Sequence, residues 1–329
     1  MSKSIFDIEN EEEYLQNKEN VDINEKNRSK QNALFDSSIE KTKWLIKHGV
    51  ELNIIEDMYG SNALRTACEI KTQILIDAGM DIHKKNSRGD SLLFSENNVE
   101  KIKILLHYGV DINIVNIDGD NVLTYAYYNE EDEEIEFTKK ILLYINSGIN
   151  INHTDAKQEN FLFSHYINTE IALALIDKGI NIHQLNEDKE NALFNYDLPP
   201  EVVEELIKRG VNIHQENDVS ENALWYANEE VCELLLDAGI NINHRSECGA
   251  NALLYSEMEE TNYLIDKGID LSIYTEEFFT NLKETFVYDF EDYFPQEKIA
   301  LIKARKESNE LKKSLKPIGD VSLFNKKRI

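Results

Sequence analysis

Short apolar clusters separated by polar runs dominate the chain. After Asn222, the stretch NALWYAN is followed by EEVCELLLDAG, in which Val231, Leu234 and Leu235 fall at helical spacing. That spacing predicts a helix with one buried stripe. Gly239 stands just past its end, where a left-handed backbone is wanted and glycine meets no Cβ penalty. Asn241, Ile242 and Asn243 then alternate polar and apolar and read as a short extended piece. A polar turn leads to Asn251, placed to cap the next helix through its side chain.

The same pattern returns along the chain. NALF at Asn32 is echoed by NALR at Asn62, SLLF at Ser91, NVLT at Asn121, NFLF at Asn160, NALF at Asn191, NALW at Asn222 and NALL at Asn251. A second anchor runs in phase: Gly49, Gly79, Gly109, Gly148, Gly179, Gly210, Gly239 and Gly268 each precede a triplet of the VELN or INIH kind. Successive glycines are 29 to 31 residues apart, with a single step of 39 between Gly109 and Gly148. Two anchors sharing one period mark an internal repeat. The VDIN at Val21 to Asn24 reads as the tail of a further, incomplete copy at the front. A copy of about 30 residues cannot bury its apolar face alone, so the copies are expected to stack on their neighbours.

This pattern resembles the ankyrin repeat, a β-turn and two antiparallel helices with a T-P-L-H-x-A signature. N-A-L-F stands here where T-P-L-H stands in the family, and the Gly-x-Asp/Asn-Ile-Asn/His segment matches the family's end-of-repeat pattern. The Pro and His are missing and most copies are shorter than the family's, with the deficit between the helices, so the first helix is expected to be short. The resemblance implies an all-α repeat solenoid of about eight stacked units with helical caps. Residues 1–24 are expected to be an acidic cap or partly disordered, with a short helix around Tyr14 and Leu15. Residues 25–272 form the array, with an acidic insertion near 129–138, and 273–329 a helical cap and basic tail. In the cap, Phe278, Phe279, Leu282, Phe286 and Phe290 recur at roughly helical spacing.

Charge narrows the function. Against 35 Lys and Arg stand 62 Asp and Glu, a net charge of −27. Direct nucleic-acid binding, which rests on basic patches, is not expected. From Gln296 onward the sign reverses, with ten Lys/Arg against four Asp/Glu. That tail could fold back on the acidic body or serve as a docking or targeting segment. No apolar run is long enough for a membrane span, and the first residues lack the basic head and apolar stretch of a secretory leader. Cys68, Cys232 and Cys248 form no C-x-x-C, which fits a reducing, cytoplasmic setting. Nucleophile-elbow, zinc-protease, P-loop and dinucleotide motifs are absent from the sequence, so neither an enzyme nor a cofactor is expected.

Candidate binding residues follow by position. The residue after NAL is mostly aromatic (Phe35, Phe94, Phe163, Phe194, Trp225), which suits packing between copies. The next position varies: Asp36, Thr66, Ser95, Tyr125, Ser164, Asn195, Tyr226, Tyr255. Variation is what a partner-reading face should show, and tyrosine is a common interface anchor. Tyr125, Tyr226 and Tyr255, with Trp225 and Asp36 beside them, are therefore candidates. The insertion contributes Glu131, Asp132 and Glu133. The turn tips add Asp118, Glu187, Asp188, Glu216 and Asp218, with Glu56, Asp57, Asp155 and Glu247, as an acidic edge that would steer a basic partner. His83, His183 and His214 share a slot with Asn53, Asn113, Asn152 and Asn243, and His153 and His244 lie one residue later. A slot that takes Asn or His reads as bonding the turn backbone rather than holding a metal. The leading expectation is a non-enzymatic scaffold for a basic protein, such as an inhibitor or immunity factor. A secreted effector aimed at a host protein and a nucleic-acid mimic are the alternatives.

Overall fold

The computed structural model describes residues 3–56, 60–128, 134–285, 291 and 294–314. It is helical: twelve α-helices and six short 3-10 turns are formed among the described residues, with no strand and only an isolated antiparallel bridge between Glu216 and Asn222. The chain divides into two compact units, residues 1–186 and 187–329.

The N-terminal unit holds α1 (Glu11–Asn17), α2 (Ile39–Lys47), α3 (Glu69–Asp77), α4 (Val99–His107), α5 (Val122–Tyr128), α6 (Glu134–Asn146) and α7 (Thr169–Asp177). Here α2 packs on α3, α3 on α4, α4 on α6 and α6 on α7. The C-terminal unit holds α8 (Pro200–Lys208), α9 (Glu229–Asp237), α10 (Met258–Asp266), α11 (Glu276–Thr285) and α12 (Gln296–Ser314). In it α8 packs on α9, α9 on α10 and α10 on α12. Four residues before the repeat glycine, Leu45, Leu75, Leu105, Leu175, Leu206, Leu235 and Leu264 are each 0% exposed, and in the long copy Tyr144 fills the slot at 1%.

The helix ends follow from sequence. Ser38, Asn98, Asn168 and Asn228 accept the N–H of the third helical residue of α2, α4, α7 and α9. At the other end Gly79 has φ +96, and its N–H bonds Ile76 O while the N–H of Met80 reaches back to Leu75 O. This is the Schellman closure, and the buried Met80 supplies its apolar partner. The NAL segments form only a short turn, as in the 3-10 turns Phe161–Phe163, Ala192–Phe194 and Ala223–Trp225. The exception is α5, which opens the long copy.

Two expectations change in detail. The triplet after each glycine is not extended: Asn241 Oδ1 accepts the N–H of Asn243, and Asp81 Oδ1 that of His83, closing tight side-chain turns. In α9, Cys232 and not Leu234 joins Val231 and Leu235 in the core; Leu234 stays half-buried. At the front, α1 does include Tyr14 and Leu15, and Tyr14 stacks on Trp44 with centroids 5.3 Å apart. Near the C-terminus Tyr274, Phe279, Leu282, Phe294 and Ile302 are buried. Phe286 and Phe290 lie outside the described residues. The tail folds back through Lys306, with Lys303 paired to Glu276 at 2.6 Å and Arg305 to Asp266 at 3.1 Å, and residues 307–314 of its helix are exposed.

Candidate partner-binding surface

Most polar residues that recur in the repeat are consumed by the backbone. The NAL asparagine is buried and works at both ends of its amide. Asn62 Oδ1 accepts from Leu64 N while its Nδ2 donates to Asp81 O at 2.7 Å; Asn160 and Asn251 do the same toward Asn181 O and Asp270 O. The asparagines that share a slot with histidines staple successive copies. The backbone N–H groups of Asp81, Asn150, Asn181 and Asp270, each two residues past the next copy's glycine, donate to Asn53, Asn113, Asn152 and Asn243 at 2.6–2.8 Å. One residue later, Gln184, Gln215, His153 and His244 all bond a carbonyl in the preceding turn: Gln158 O, Lys189 O, Gly119 O and Ser220 O. Those four acceptors are residues with positive φ at the tip of their turn. Amide and imidazole thus do one job, and among the described residues no cluster of three His, Cys, Asp or Glu could hold a metal ion.

The acids sort into two groups. Glu56 and Asp155 are buried, and Asp155 Oδ1 accepts the N–H of Lys157 and of Glu159, so neither belongs to an exposed edge. Asp36, Asp118, Glu187, Asp188, Glu216, Asp218 and Glu247 are exposed. Some are already paired: Asp118 with Arg88 at 2.8 Å, Asp218 with Lys189 at 2.5 Å, and Glu216 near His244 at 3.6 Å. Asp57, Glu131, Asp132 and Glu133 lie outside the described residues. Sequence reasoning missed a second set of acids, the last turn residue of five copies, from Asp90 to Glu221. Asp90, Glu159 and Glu221 are buried there, and Asn116 and Asn186 donate to Asp90 and Glu159 at 3.0 and 3.1 Å. Part of the −27 charge is therefore structural.

Among the aromatics, Trp225 must be corrected. It is 3% exposed and packs edge-on against His244, so it supports the surface from below and offers nothing to a partner. Tyr226 and Tyr255 are half-buried. In the C-terminal unit Phe194, Tyr226 and Tyr255 form a row, with centroids 5.6 and 5.9 Å apart. Tyr226 donates its hydroxyl to Glu221 Oε2 at 2.6 Å. Burial, and then that bond, hold its phenol above the ordinary tyrosine range. In the N-terminal unit the half-buried Tyr125 meets Phe94 edge-on at 5.3 Å, with the Arg88 guanidinium 6.0 Å from its ring.

A ladder of lysines, buried at Lys71, Lys101 and Lys140 and half-buried at Lys41, also went unread. Lys71 is 4% exposed and its ammonium donates to Phe35 O and Ser37 O of the preceding copy. Lys41 bonds Ile5 O and Phe6 O; Lys101 bonds Arg65 O and pairs with Glu96; Lys140 bonds Asn97 Oδ1. Burial lowers the affinity of Lys41 and Lys71 for their protons. The signal was present: each lysine stands eight residues before the repeat glycine, at Gly49, Gly79, Gly109 and Gly148.

No protein-family model matches this chain, and no curated protein matches it. Among the described residues no helix is long and apolar enough to cross a membrane.

Proposed function

We propose that the chain is a non-enzymatic, ankyrin-type scaffold that binds a basic protein, as an inhibitor or immunity factor does. The supporting observation is a division of labour. Side chains that recur from copy to copy are spent on holding the backbone. Among those that vary, Tyr226 and Tyr255 of the C-terminal unit stay half-exposed, and the acids Glu187, Asp188, Glu216 and Asp218 on its turns are exposed, Asp218 in an ion pair with Lys189. Flat tyrosine faces give contact area at little entropic cost, and the acids add long-range attraction to a cationic partner.

Removing the Tyr226 hydroxyl would take from the buried Glu221 its 2.6 Å donor and leave Asn217 Nδ2 at 3.4 Å, so the row is probed at Tyr255. The test is affinity capture with identification of the bound protein, then titration of that purified protein against wild type and Tyr255→Ala at low and moderate salt. The expected result is an affinity that falls steeply with salt, and about tenfold or more with Tyr255→Ala, at unchanged helix content. A partner whose affinity ignores both ionic strength and Tyr255 overturns the reading.

A further inference from the structure

Both units carry one aromatic platform, and in only one of them does the chain supply its cation. In the N-terminal unit, Phe94 and Tyr125 of successive copies meet at 5.3 Å. The Arg88 guanidinium lies 6.0 Å from the Tyr125 ring and pairs with Asp118 at 2.8 Å. That is a distance at which a ring face still attracts a cation. In the C-terminal unit, Phe194 and Tyr226 stand at the same repeat positions and meet at 5.6 Å. The residue three before the NALF-type segment is Arg88 in the first platform and Asp188 in the second. The Tyr226 ring is half-exposed, and among the described residues no cation lies over it.

The charge of the adjoining turns differs in the same sense. Turns 85–90 and 115–120 hold Asp90, Asp118 and Asp120 against Lys85 and Arg88. The matching turns 185–190 and 216–221 hold Glu187, Asp188, Glu190, Glu216, Asp218 and Glu221 against Lys189, which pairs with Asp218 at 2.5 Å. The Asn217 amide ties two of these acids to the platform. Its Nδ2 donates to Glu190 at 3.1 Å and to Glu221 at 3.4 Å, and Glu221 accepts the Tyr226 hydroxyl at 2.6 Å. A half-exposed ring beside carboxylates suits a guanidinium, whose plane stacks on the ring while its N–H groups reach acceptors at the edge.

We infer that the Phe194–Tyr226 platform binds an arginine side chain of the partner, in the place that Arg88 takes over Tyr125. This role rests on the reading of the chain as a scaffold for a basic protein, and it narrows that partner to one with an exposed arginine. Asp188 reverses the charge of the Arg88 slot, so the cation that the chain gives itself at Tyr125 comes from outside at Tyr226. Arginine is favoured over lysine because its planar group is weakly hydrated and can stack and hydrogen-bond at once, whereas an ammonium is a strongly hydrated point charge.

Fluorescence anisotropy on the full-length chain tests this, with a labelled glycine–arginine repeat peptide and a glycine–lysine peptide of the same length as probes, at low and moderate salt. The wild type should bind the arginine peptide about fivefold more tightly than the lysine peptide. Tyr226→Phe keeps the ring and should keep that preference, while Tyr226→Leu should lose it. Both variants lack the hydroxyl, so any effect of removing that donor from Glu221 is common to the two. Asp188→Arg rebuilds the Arg88 slot and should also abolish the preference, by filling the platform from within. A preference that survives in Tyr226→Leu or in Asp188→Arg overturns arginine recognition at this platform. Equal, salt-sensitive binding of both peptides by the wild type overturns it too and leaves the basic-partner reading standing. Binding of neither peptide at low salt overturns both.

Discussion

The first four copies and the copies of α8 and α9 solve the same packing problem at the same helix position by opposite means. In the N-terminal unit, Lys71 buries an ammonium against two backbone carbonyls of the copy before it. In the C-terminal unit, the matching Val202 and Val231 are buried as plain hydrocarbon, 0% and 5% exposed. The difference tracks the preceding connection. Where lysine follows, the link from NAL segment to helix is short, as in Phe35 to Ser38. Before Val231 the link is longer, from Phe194 to Pro199, and closes on itself, with the N–H of Leu198 on Asn195 O. A buried carbonyl must find a donor, and the chain supplies it either from the loop or from the next helix. Ile171, in the N-terminal unit but after the longer α5, already follows the aliphatic solution.

Exchanging the two solutions should break the comparison most sharply. Val231→Lys places an ammonium where the preceding loop already satisfies itself, and should cost about 3–5 kcal/mol, the range for an unpaired buried charge; urea unfolding would read it. A loss under about 1 kcal/mol would show that the carbonyls before Val231 can take a lysine too, and that loop closure does not govern the slot.

The reverse exchange is milder. Lys71→Met keeps the length but leaves Phe35 O and Ser37 O without their ammonium, an expected loss of about 1–3 kcal/mol. Its pH dependence has a definite sign. Burial lowers the Lys71 value below 10.5, so the unfolded chain holds the proton longer. Lys71 should make the wild type gain stability as pH rises toward 10.5, and Lys71→Met should lose that gain when the two are compared by thermal melting across pH.

The smallest effect concerns the staples. Asn53→Ala removes the acceptor for the Asp81 N–H, with an expected loss of about 1 kcal/mol and faster exchange at that amide. Its counterpart in the C-terminal unit is Asn243, which accepts the N–H of Asp270 at 2.7 Å. Equal losses from Asn53→Ala and Asn243→Ala would show that the units differ in the lysine slot while sharing the staple.

Local chemistry was legible because it obeys short-range rules. Gly79 could be assigned its left-handed backbone from a few neighbouring residues, whereas Asn251, expected to cap a helix, closes a tight turn by accepting the N–H of Leu253. Asn53 bonds the backbone as its slot suggested, while His83, His183 and His214 in the same slot are exposed. The candidate surface was only half legible. Tyr226 and Tyr255 could be picked out as varying residues beside a constant anchor. No local rule could tell exposed Asp118 from buried Asp155, or make Trp225 a buried support.

The sequence by itself determined where the repeat helices end, at the left-handed glycines, and that one pattern recurs with a period near 30, since these rest on relations within a few residues. Only the tertiary structure decided which charges are spent inside. Lys71 meets Phe35 O and Ser37 O across 36 and 34 residues, and Lys298 meets Leu254 O across 44. A charge is buried or solvated according to what a neighbouring copy places over it, and that neighbour is fixed by packing rather than by adjacent residues.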